Sequence, residues 1–163
     1  MLNFISRTPI LIGLFLAMLV IGYLFGGVRE ASGGVLLDTI WNGADAKAHL
    51  LAMTAEQKSA HFWGTAVNDM LYPFAYGGLF AGLAWRFGGH RFPLVIPAMS
   101  VIIVDLAENT TQALALAGND GLIGLKDVLT PLKFGLFLLA VVIAVFCLIG
   151  ALIQKLRSRA NQA

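Results

Sequence analysis

Four polar residues recur along one otherwise apolar stretch: Asp105, Glu108, Asn109 and Gln112. At 100° per residue they share one helical face about 100° wide. An ionised carboxylate at the centre of a membrane helix costs about 2.5–3.5 kcal/mol, so such a stripe must face protein. Upstream, Asp69, Tyr72 and Tyr76 share a second face. Pro73 cannot donate to the carbonyl four residues back, so Asp69 offers both a carboxylate and a free backbone carbonyl. Downstream, Lys126, Thr130, Lys133 and Phe137 line a third face. Lys126 is expected at the interface. Lys133, about one turn deeper, either snorkels outward or pairs with a carboxylate. Asp69, Asp105 and Glu108 thus oppose one clearly embedded lysine. Asp105 and Glu108 are expected to share at most one negative charge unless a cation or Lys133 lies close. The candidate binding set is therefore Asp69, Tyr72, Tyr76, Asp105, Glu108, Asn109, Gln112 and Lys133. Oxygen donors of this kind suit a proton, a hard cation or a protonated amine rather than zinc or copper, and they name no cofactor. A structural network satisfied by neighbouring helices is the competing reading of the stripe, and an interfacial helix start is the competing reading of Asp69.

The elements that must position these residues are apolar runs of helical length. Pro9–Gly27 is 19 residues, long enough to cross a core of about 30 Å. Further spans are expected at about 65–85, 92–117 and 128–153. Period-2 alternation is absent, and four strands cannot close a barrel in lipid. The expected fold is an all-α integral membrane protein: one domain, a bundle of four transmembrane helices. Gly22/Gly26, Gly78/Gly82 and Ala113/Ala117 have the four-residue spacing that lets helix backbones approach.

With four spans, Arg7, Arg86, Arg91, Lys155, Arg157 and Arg159 fall on one side, in segments without an acid. Arg29, Lys47, Lys58 and Lys126 fall on the other, among six acids. The positive-inside rule then places both termini on the cytoplasmic side. Asp69 comes to lie about 7 Å, Glu108 about 13 Å and Asp105 about 18 Å below the outer surface. The inner half keeps only Ser100 among apolar residues. A blind, outward-facing pocket follows. The outer loop, 28–64, carries apolar VLLDTIW at Val35–Trp41 with Asn42-Gly43 as a helix stop. Thr54 and Gln57 then form a capping box opening a helix toward span two. The loop is read as short amphipathic helices on the outer surface or as a lid over the site.

Composition removes other classes. The chain has 163 residues, 58% hydrophobic and 12% charged, with a net charge of +2. A mean hydropathy of +0.81 leaves no room for a separate soluble domain. There is no basic patch for nucleic acid. Cys147 alone can form no internal disulfide or redox pair.

The patterns D-x-x-x-P-x-x-Y (Asp69, Pro73, Tyr76), D-x-x-E-N (Asp105, Glu108, Asn109) and T-x-x-K (Thr130, Lys133) resemble those of a group of small bacterial four-helix membrane proteins. The resemblance covers about two thirds of the chain, from Ala48 on. It implies a four-helix fold and no activity. A fainter similarity is to four-helix sterol-isomerase and sigma-2-receptor-like proteins, whose tryptophan-rich pattern is missing here. Three functions are compatible with these observations. One is a protein that binds or moves a cation, proton or cationic amphiphile. Another is an accessory subunit of a larger respiratory or photosynthetic membrane complex, with other membrane subunits as partners beside the lipid. The last is an intramembrane enzyme using Glu108 or Asp105 as acid/base on a lipid-like substrate, for which no nucleophile–base pair is evident.

Overall fold

The computed structural model describes residues 1–161, which are helical with no strand. A short helix α1 (Leu2–Ile5) leads into α2 (Thr8–Ala31), whose Pro9 fits the first turn. Helix α2 stops where Gly33 and Gly34 take φ of +90° and +93°, a region open to glycine and strained for side chains. A strap follows, then α3 (Gly43–Ala52) and α4 (Ala55–Trp63). Helix α4 runs through a π-helical segment (Gly64–Asp69) into α5 (Met70–Phe87) without a break. Helices α6 (Ile96–Leu116) and α7 (Lys126–Ala160) complete the chain.

The strap departs from expectation. Val35–Trp41 forms a single 3-10 turn at Leu37–Thr39 rather than an amphipathic helix. Leu37 is fully buried as a plug, and its N–H goes to His61 instead of a helical carbonyl. Asn42-Gly43 opens a helix rather than ending one. Asn42 Oδ1 accepts from Asp45 N at 2.7 Å, the role asparagine fills well at an N-cap. The Thr54/Gln57 capping box forms, at 2.9 Å and 3.3 Å.

Helix α5 is the hub. It packs on α2, α6 and α7, and α6 packs along α7, whereas α2 makes no extensive contact with α7. A cleft over α5 results. Two apolar layers bracket the polar middle. The outer one joins Leu37, Ala46, Leu50, Met53, Ala115, Leu116 and Ile123; the inner one joins Ala81, Ala84, Val95, Ala98 and Ala140. Alanines in the inner layer allow close approach. At Gly82 a Cβ would come within 2.7 Å of Leu11, while one at Gly26 would meet nothing. The small-residue spacing thus works in α5 and not at the end of α2.

Three stretches are long and apolar enough to cross a membrane: Thr8–Ala31, Phe92–Leu116 and Ile123–Ala160. Helix α5, expected as a fourth span, is not among them. Tyr72, Pro73, Tyr76, its glycines and Arg86 dilute its apolar character. A helix surrounded by neighbours needs less apolar surface than one facing lipid. The faces of α2 and α7 are the reverse, with Leu16, Leu19, Leu138 and Phe146 exposed.

Candidate functional site: a buried ion-pair network beside an aromatic cavity

The polar stripe of α6 meets a stripe of the same period on α7. Asp105, Glu108, Asn109 and Gln112 stand at i, i+3, i+4 and i+7, and Lys126, Thr130 and Lys133 at i, i+4 and i+7. All seven are buried. Glu108 is the centre. Its Oε1 accepts from the Lys126 ammonium and, at 2.5 Å, from Thr130 Oγ1. Its Oε2 lies 2.7 Å from Lys133 Nζ, an ion pair without hydrogen-bond alignment. Lys133 also pairs with Asp38 of the strap and stands 3.5 Å from Asp105 Oδ1. Tyr76 donates to Asp105 Oδ2 at 2.6 Å.

Lys126, expected at the interface, does not face solvent. It is completely buried. The cause is α3, which roofs the turn before α7 so closely that a Cβ on Gly43 would sit 2.6 Å from Gly124 Cα. Gly43 N donates to Asp127 Oδ1 at 2.7 Å and fixes that roof.

The Asp69 carbonyl, which Pro73 cannot serve, accepts from Asn109 Nδ2 at 2.8 Å. The π turn ending at Asp69 and the proline after it turn this group toward α6. Gln112 behaves otherwise. It is fully buried, its amide has no hydrogen-bond partner among the described residues, and it does not line the cavity.

A cavity of about 280 Å³ opens beside this network. Phe25, Leu36, Tyr72, Phe134 and Phe137 form its walls, and Asp38, Asp69, Asp105, Tyr76 and Lys133 supply its polar groups. Tyr72 and Tyr76 meet edge to face at 5.2 Å, and Tyr76 meets Phe137 at 5.1 Å. Trp41 stacks on Phe134 at 5.2 Å and 13°, holding the strap over the site. Four carboxylates thus face two ammonium groups. Asp69, only 7% exposed, has no ion-pair partner among the described residues. Oxygens of Asp38, Asp105 and Glu108 lie within 4.8 Å of one another, a spacing suited to a hard cation. The Lys133 ammonium stands among those three carboxylates, so the protein supplies that cation itself.

Asp38, Lys126, Phe25, Phe134 and Phe137 complete the site beyond the residues expected from sequence. The i, i+4, i+7 register of α7 carried a signal for Lys126. Asp38 had one too, as the lone acid of an apolar strap. Phe137 shared the face of Lys126 and Lys133, whereas Phe25 and Phe134 had no signal, since aromatic residues are ordinary on membrane helices.

His61 anchors the strap from α4. Its Nε2 accepts from Leu37 N at 3.4 Å, so the ring is neutral with its proton on Nδ1. Burial, then the neighbouring His49 and Lys126, push its pKa down to about 4, against an opposing pull from Asp38.

Two predictions follow from this network. Lys126→Met leaves a buried carboxylate short of a partner and should cost about 3–5 kcal/mol of unfolding free energy in mixed micelles. Adding Glu108→Leu should restore most of that loss; a double variant no better than the single would show that Lys126 acts through packing alone. For His61, the unfolded imidazole titrates near 6.5 and the folded one near 4, so the unfolded chain takes up a proton first as pH falls. Its contribution is complete above about pH 6.5 and is lost between 6.5 and 4. Trp41 fluorescence should report strap loosening in that window, and His61→Gln, which accepts without titrating, should flatten it.

No protein-family model, curated protein or solved structure matches this chain.

Proposed function

We propose that the chain is a four-span protein of a bacterial inner membrane, with both termini cytoplasmic, whose outward cavity binds a positively charged group. The observation that carries this reading is Asp69. Its carboxylate lines the cavity, is nearly removed from solvent, and has no ammonium partner, while three other carboxylates share two lysines. A buried unpaired charge costs several kcal/mol unless a cation or a proton reaches it. The faces of Tyr72 and Tyr76 beside it attract a cation further.

Helix α5 serves as the fourth span, packed against α2, α6 and α7 with Leu71 and Phe74 left facing lipid. Supporting the orientation are the basic residues Lys155, Arg157 and Arg159 at the end of α7 and the exposed Tyr23 and Trp63 near the opposite side. Binding, rather than passage, fits the inner layer: Ala81, Ala84, Val95, Ala98 and Ala140 close the bundle below Asp105.

Orientation is tested by single cysteines in a Cys147→Ala background. A thiol at Asn42 should react from outside the cell and one following Arg159 only after permeabilisation. Reaction of the latter in intact cells would reverse the topology. Binding is tested with ethylammonium on the protein in nanodiscs. Asp69→Asn, which keeps shape and removes charge, should weaken it roughly thirtyfold or more. Unchanged affinity in a folded variant would remove Asp69 from the site and the reading with it.

A further inference from the structure

A second recess adjoins the first. It measures about 490 Å³, reaches Arg29, Gly34 and Thr39, and shares Phe25 and Leu36 with the acidic cavity. Arg29 stands one turn beyond Phe25 on the same face of α2. The Phe25 ring meets Tyr72 edge-on at 5.3 Å, and Tyr72 lies one turn from Asp69. Arg29, Phe25, Tyr72 and Asp69 therefore form a continuous wall with a guanidinium at one end and a carboxyl group without an ion-pair partner at the other.

Arg29 is held in place. Its Nε donates to Gly34 O at 2.6 Å, a carbonyl delivered by the two positive-φ glycines at the end of α2. No carboxylate pairs with its guanidinium among the described residues. The remaining N–H groups form a planar donor set suited to phosphate or carboxylate. A molecule with an anion behind its ammonium satisfies both ends.

We infer that the two recesses together hold a zwitterion, with its ammonium against Asp69 and the tyrosines and its anionic group against Arg29. This rests on the cation-binding reading above and narrows it. The recesses share Phe25 and Leu36 as a common wall, so one small molecule can reach into both. The larger, outer recess suits a phosphate better than a carboxylate. The chemistry is that of aminoethyl phosphate, supplied either by a phospholipid headgroup or by the free ester.

The test uses the full chain in phosphatidylglycerol nanodiscs, titrated with phosphoethanolamine, ethylammonium and inorganic phosphate. Phosphoethanolamine should bind at least about tenfold tighter than either fragment, each fragment lacking one charge-assisted contact. Arg29→Gln should lower it to the ethylammonium level without touching ethylammonium itself. Arg29→Lys, which keeps charge and loses the planar fork, should fall between. Asp69→Asn should remove both amines. Melting curves of each variant check the fold. Selective retention of phosphatidylethanolamine over phosphatidylglycerol in native mass spectrometry identifies a lipid as the source; tight phosphoethanolamine binding without that retention identifies the free ester. Equal affinity for both amines, indifferent to Arg29→Gln, overturns the zwitterion and leaves the cation site standing. Absence of any amine binding overturns both. Phosphate binding as tightly as phosphoethanolamine overturns the zwitterion as well.

Discussion

Glu108 is a fully buried carboxylate held by the ammonium groups of Lys126 and Lys133 and the hydroxyl of Thr130. Taking such charges out of water is costly, and only close, multiple partners offset it. That requirement dictates how α6 and α7 face each other. Both helices present polar groups at the same period, and only one rotation of each brings the stripes together. Once that register is set, Asp105 meets Tyr76 of α5, Asn109 meets the Asp69 carbonyl, and the bundle has one arrangement. Buried polar pairing here supplies direction that apolar packing among leucines and alanines does not.

The same network reaches outward through Lys133. Its ammonium serves Asp38 as well as the α6 carboxylates, so the strap is tied to the core electrostatically. Leu37 and Trp41 add apolar contacts on either side of that tie, and His61 accepts the strap's N–H only while its ring is neutral. The strap and the acidic cavity therefore share one lysine.

Helix α5 shows what a central position permits. Tyrosines, a proline, glycines and an arginine make it too polar to read as a span by hydropathy alone, yet it touches every long helix. Its irregular start is used rather than tolerated. The π turn and Pro73 free one carbonyl, and Asn109 takes it. Because α2 and α7 both lean on α5 and not on each other, the cleft over its tyrosines remains open.

Much of this was legible in the chain itself. The i, i+3, i+4, i+7 polar stripe of α6 had to face inward, because lipid offers carboxylates no partner. The Pro73 gap at the Asp69 carbonyl and the Thr54/Gln57 capping box depend on residues within one helical turn and needed no fold to be read. Lys126 and Asp38 were different. A lysine at a helix start and an acid in a loop look interfacial from sequence, and only the roof made by α3 on the Gly124 turn and the insertion of Leu37 decided that the first is buried and the second joins the site. Gln112 shared the period of its neighbours yet stands outside the cavity, because period fixes a face and not a depth. Local pattern determined which groups had to leave lipid. Long-range packing alone decided which of them met, since partners as far apart as Asp38 and Lys133 are joined by the path of the chain and not by any spacing along it.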